Sequence, residues 1–137
     1  MARAAAGAGL SEACGLLLGR MDARGWHVRE ATVARNVSPA PGQRFEVEPA
    51  HLFQMHRAAR APGAPAIVGL WHSHPRGPAC PSAHDRDGIT EPDWLWVILA
   101  DSGAAMAGWR PWPAAACGFR RVPLWVEGRI DLAGAGC

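Results

Sequence analysis

The chain has 137 residues, 49% of them hydrophobic, which suits one domain over residues 1–137 that buries about two-thirds of the surface its unfolded form exposes. Fourteen basic side chains against twelve acidic ones leave a net charge of +2, and this excludes the strong positive field that a nucleic-acid partner demands. The apolar runs fall short of the ~18 residues that cross a bilayer and no charged-then-apolar leader opens the chain, so a soluble, cytoplasmic protein without a membrane partner is expected.

In chain order, residues 1–8 are alanine-rich and suit a short helix weakened by Gly7 and Gly9. Residues 14–19 and 26–37 read as two strands joined by a turn around Asp22 to Gly25. Residues 38–44, with Pro39, Pro41 and Gly42, form a loop, and residues 45–48 a short strand. From Pro49 the period changes: Leu52, Phe53, His56 and Ala59 share a helical face, and Pro62-Gly63 stops the helix. Residues 65–74 are an aliphatic run that suits a buried central strand ended by Pro75. A Gly/Pro loop leads to a short helix opening at Ser82. Residues 94–100 make another buried strand, residues 104–109 its hairpin partner and residues 117–126 a last strand, with residues 134–137 frayed. Strands and helices mix without strict alternation, so the fold class is α/β or α+β, a mixed, curved sheet flanked by helices.

Four cysteines, Cys14, Cys80, Cys117 and Cys137, form no CxxC pair; they suggest neither a disulfide framework nor a four-cysteine zinc site, and free thiols are the simpler reading. The informative stretch is Trp71-His-Ser-His-Pro75, followed by a turn-rich loop and Ser82-Ala-His-Asp85. On an extended strand, residues two apart share a face, so His72 and His74 can offer both imidazoles to one point. A helix beginning at Ser82 would aim Asp85 from its first turn at the strand end, and two histidines plus a carboxylate with an open fourth position is a catalytic zinc set. Each piece has a plain alternative. His-x-His arises by chance in a chain with six histidines, and Ser-x-x-Asp is capping-box-like, which would spend Ser82 and Asp85 on backbone amides.

A third feature is Ser11-Glu-Ala-Cys-Gly-Leu-Leu-Leu-Gly19. The set Glu12, His72-x-His74, seven residues, Ser82, two residues, Asp85 resembles the JAMM signature of the MPN-plus (JAB) zinc metallopeptidases, with no gap in spacing and a proline after the second histidine. The resemblance runs from about Ser11 to Asp101 and is similar to the small bacterial members. It implies a JAB/MPN-like fold with one Zn2+ per chain held by His72, His74 and Asp85. It further implies that Glu12 activates water for attack on an amide carbonyl, and that Ser82 donates to the carbonyl oxygen as charge develops there. Nothing local separates Glu12 from Glu30, Glu46, Glu48, Glu91 or Glu127; the resemblance alone selects it. Only eleven residues precede Glu12, which leaves little chain there to pack behind it.

The implied substrate is an amide bond after the C-terminal tail of a ubiquitin-like β-grasp protein of the sulfur-carrier type, and a homodimer is a further option. A non-catalytic MPN-type scaffold and a RadC-like DNA-associated protein are the alternatives; a zinc deaminase is disfavoured because no Pro-Cys-x-x-Cys element follows. Cys80 is weighed as a fourth ligand against a plain loop residue, and the loop residue is preferred. His84 and Asp87 are expected to face solvent or brace the helix, His51 and His56 to lie away from the site, and the seven tryptophans to be mostly core or groove material, with Trp71, Trp109 and Trp112 able to line a channel.

Overall fold

The computed structural model describes residues 1–100, 103–126 and 129–131, so the expectation for residues 134–137 lies outside the described residues. The apolar Cys-Gly-Leu-Leu-Leu-Gly run forms the first part of strand β1 (Cys14–Asp22), buried for six residues and exposed for three. Asp22 then accepts the amide of Arg24 at 2.8 Å, Gly25 takes φ 117°, and β2 (Gly25–Ala31) returns antiparallel. Before β1, a short helix α1 (Ala2–Gly7) buries Ala5.

The second strand is shorter than predicted. Beyond Ala31 there are only the bridges Cys14 to Ala34 and Asn36 to Val47, and the strand expected over residues 45–48 is reduced to the second of these. The cause is Asn36, whose Oδ1 accepts the amides of Ser38 and Glu46, each at 3.0 Å. A side chain that takes up local amides competes with a strand ladder. Helix α2 (Pro49–Ala58) starts on its proline as predicted and packs through Leu52, but Phe53 is 70% exposed and Met55 joins Leu52 on the packing face in its place.

Strand β3 (Ala66–His74) lies at the centre. The sheet runs β2-β1-β3-β4-β5-β6, with β4 (Leu95–Ala100), β5 (Ala105–Pro111) and β6 (Phe119–Val122). All neighbours are antiparallel except β3 and β4, which are parallel. The last predicted strand divides at Pro123, and β7 (Leu124–Val126) pairs separately with β8 (Arg129–Asp131). Alternation along the strands gives the sheet two apolar faces. Leu17, Val68, Trp71, Val97 and Leu99 pack on one with Ala5 of α1; Leu16, Leu70, Trp96, Ile98, Trp109 and Phe119 pack on the other with Leu52 and Met55 of α2. The mixed α+β fold matches expectation.

The parallel pair is what builds the site. Parallel neighbours need a crossover, and here residues 75–94 make it, carrying helix α3 (Ala83–Asp87) back to the end of β3.

Candidate active site

His72 and His74 share the α2 face of β3 with Leu70, and both are buried. Their Nε2 atoms lie 3.0 Å apart. Asp85 of α3 completes the group: its Oδ1 is 3.0 Å from His72 Nε2, and its Oδ2 is 3.4 Å from His74 Nε2. Thus the three side chains turn these four atoms toward one point. Ligand atoms about 2.0–2.1 Å from a tetrahedral zinc stand about 3.3–3.4 Å apart; the His74–Asp85 separation matches that spacing and the other two are about 0.3 Å shorter.

Glu12, immediately before β1, is 5% exposed, and its Oε2 has no hydrogen-bond partner among the described residues. Glu12, His72 and His74 each offer a ligand atom within 4.8 Å of the others, a group that can bind a metal ion. Its amide donates to Pro41 O at 2.6 Å, its carbonyl accepts from Asn36 Nδ2 at 2.9 Å, and the adjacent Ala13 amide donates to Ser73 Oγ at 2.9 Å.

The electrostatics follow from burial and contact. Burial pushes the Glu12 carboxyl up to about 7, with the Asp85 charge adding to the rise and His74 opposing it. Burial acts in the same sense on Asp85, but hydrogen bonds from His72, His74 and the Ser82 amide hold its carboxyl below the usual carboxylate range. Burial lowers the pKa of His72, which favours the neutral imidazole that ligates metals. For His74, burial is outweighed by Asp85, by its Nδ1–H donating to Pro78 O at 2.9 Å, and by Glu12, so its pKa is raised.

Ser82 and Asp85 do form a capping box: Ser82 Oγ accepts the Asp85 amide at 3.1 Å, and Asp85 Oδ2 accepts the Ser82 amide at 2.6 Å. The two readings of Ser-x-x-Asp are therefore compatible. Asp85 caps its helix and meets both imidazoles, and the bond that Ser82 Oγ accepts leaves its hydroxyl proton able to donate elsewhere.

Other expectations need correction. Trp71 points to the opposite face, wholly buried with its Nε1 donating to Thr32 O at 2.7 Å, and Trp109 is buried with its Nε1 donating to Ala79 O at 2.9 Å. Neither lines the site. A cavity of about 310 Å³ that reaches Asp85 is walled instead by Phe45, Trp94, Trp96, Leu52 and Glu91. Cys14 and Cys117 are free thiols, but Cys80 is disulfide-bonded, which corrects the free-thiol reading and removes its sulfur as a donor. His84 and Asp87 are exposed as expected, while His51 contacts Thr32 Oγ1 at 2.9 Å. His84 and His56 also line the cavity, contrary to the view of His56 as remote.

Residues 1–114 match the family model described as prokaryotic homologs of the JAB domain. The chain belongs to the prokaryotic JAB family. Among the relatives of this chain, a desampylase of Haloferax volcanii is 35% identical over 103 residues, covering 75% of this chain and 72% of the relative. A Thermus thermophilus protein named "Probable TtuB-protein conjugate cleaving protease" is 32% identical, covering 67% of this chain and 57% of its own length. Protein DSY2949 of Desulfitobacterium hafniense has a similar solution structure, with a TM-score of 0.74, 26% identity, and coverage of 89% of this chain and 82% of that one. This JAB chain is a hydrolase of the JAMM type.

Sequence reasoning missed Asn36 and Phe45. Asn36 uses its whole amide, donating to Glu12 O at 2.9 Å and Arg44 O at 3.2 Å while accepting two amides. Asn36→Asp removes both donors from a half-buried position. It is expected to cost about 2 kcal/mol in urea unfolding, at about 1 kcal/mol per bond, and a loss below about 0.5 kcal/mol would show that the clamp is dispensable. Its only signal in sequence was a turn-forming residue beside a Pro/Gly loop.

Proposed function

We propose that the chain is a zinc-dependent isopeptidase that hydrolyses the amide bond after the C-terminal tail of a ubiquitin-like β-grasp protein. The observation that carries this reading is the convergence of His72, His74 and Asp85, with Glu12 beside them, in a chain of the JAB family. The names of the Haloferax and Thermus relatives support conjugate cleavage as the activity.

His72 and His74 through Nε2, with one Asp85 oxygen, would hold the ion. Bound there, zinc would supply Lewis-acid polarisation of a carbonyl and lower the pKa of water. Glu12 takes the proton from the attacking water on its carboxylate and passes it to the leaving amine; a carboxyl raised to about 7 is matched to both transfers near neutrality. The Ser82 hydroxyl, its oxygen already fixed by the Asp85 amide, donates to the carbonyl oxygen as negative charge develops there. The cavity beside Asp85 takes the extended tail along Phe45 and Trp96.

The test joins metal content with cleavage. The purified chain and His74→Ala are analysed for metal, then mixed with a glycine-tailed β-grasp carrier linked through its tail to a lysine amine. About one zinc per chain, lost in the variant, and release of the intact carrier by wild type alone are expected. Absence of zinc after reconstitution together with an uncut conjugate would refute the proposal. In the same assay, Ser82→Ala is expected to keep zinc and slow turnover about 100-fold; unchanged turnover would leave Ser82 as a helix cap only.

A further inference from the structure

His72 and His74 lie on one strand, yet their rings are held in different ways. His74 Nδ1 donates to Pro78 O at 2.9 Å, which fixes both tautomer and ring plane. Among the described residues, His72 has no equivalent bond. Its Nδ1 is buried without a hydrogen-bond partner among the described residues, although the ring is wholly inaccessible to water. A ligand imidazole without such an acceptor needs some other restraint on its plane.

The contacts around His72 identify it. Phe45 stacks on the imidazole with centroids 4.4 Å apart and planes 22° apart. Trp96 meets the same imidazole edge-on at 5.9 Å and 90°, and meets Phe45 at 6.0 Å. Phe45 is presented by irregular chain, but not by loose chain. Asn36 binds the backbone on either side of it, donating to Arg44 O and accepting from the Glu46 amide, while its other donor bond holds the Glu12 carbonyl. One amide thus ties the segment carrying Glu12 to the ring behind His72.

We propose that Phe45 is a positioning residue whose ring sets the plane of the His72 imidazole and so aims its Nε2 at His74 and Asp85. The inference rests on the metal-site reading above. A flat ring in near-parallel contact resists tilting of its neighbour, whereas an aliphatic side chain fills the space and leaves the imidazole free to tilt. Phe45 also walls the cavity at Asp85, so a substrate tail lodged there bears on the ring that backs His72.

The full chain is compared with Phe45→Leu, which keeps apolar bulk without a flat ring, and with Phe45→Tyr, which keeps the ring. Phe45 is half-buried in a loop, and thermal unfolding confirms that each variant is folded; Phe45→Met replaces any leucine variant that is not. The first readout needs no metal: histidine ring signals by NMR. In wild type and Phe45→Tyr the His72 ring protons are expected upfield, shifted by the stacked ring, and in one sharp set. In Phe45→Leu they should move downfield and broaden. The second readout is cobalt(II) titration, in which Phe45→Leu binds about tenfold more weakly or worse and Phe45→Tyr stays near wild type.

Unchanged His72 signals and cobalt affinity in Phe45→Leu would overturn the inference and leave Phe45 as filler. If wild type itself takes up no cobalt, the metal-site reading fails on its own, and the metal-free signals still decide whether Phe45 orients His72.

Discussion

Asp85→Ala is expected to abolish stoichiometric metal binding, weakening affinity at least about 100-fold in a chelator competition, beyond the usual effect of losing a residue that merely supports a ligand. Asp85 is 4% exposed, contacts both imidazoles at 3.0 and 3.4 Å, and is held ionised by them and by the Ser82 amide. Its removal takes the negative charge out of a donor set otherwise made of two neutral rings. It also breaks the capping box, at about 1 kcal/mol, so metal binding is compared at a temperature where the variant is folded. Retention of metal by Asp85→Ala would have a definite meaning. It would make Glu12, His72 and His74, which also lie within reach of one ion, the true ligand set and would remove Glu12 as the base.

Glu12→Gln is expected to separate metal from turnover, binding as wild type does while cleavage falls about 100- to 10,000-fold. Gln keeps the shape but takes up no proton. The same substitution tests the environment of the carboxyl without metal. Burial raises the Glu12 pKa from an ordinary 4.5 to about 7, so the folded state holds its proton where the unfolded state has lost it. Stability linked to that proton is complete below about pH 4.5 and is lost as pH rises through about 7. Metal-free Glu12→Gln should therefore match wild type in urea unfolding at pH 4 and exceed it at pH 8 by roughly 1–3 kcal/mol after allowance for solvent screening. Equal stability at both pH values would show that Glu12 is solvated, and full turnover would remove it from the chemistry.

The candidate metal site was legible because its chemistry is local. His72 and His74 need only strand alternation to face one way, and Ser82 with Asp85 needs only a helix start. Asp85 could not be assigned to a cap or to the histidines from spacing alone, and the structure has it doing both. Glu12 was legible by resemblance only, because it reaches the histidines through the pairing of β1 with β3, which sets Cys14 opposite His72.

By itself, the sequence determined most of the run of elements, the buried central strand, the helix beginning at Pro49 and the residue types able to bind a metal, all of which follow from periodicity, proline and side-chain chemistry within short windows. The tertiary structure alone decided three further matters. The parallel crossover of residues 75–94 brought Asp85 to the end of β3. The face taken by each aromatic turned Trp71 and Trp109 into buried, hydrogen-bonded residues and put Phe45 and Trp96 against His72. Asn36 joined Glu12 to the Phe45 loop. Each depends on contacts between segments far apart in the chain, and no local pattern encodes which distant partner a side chain will meet.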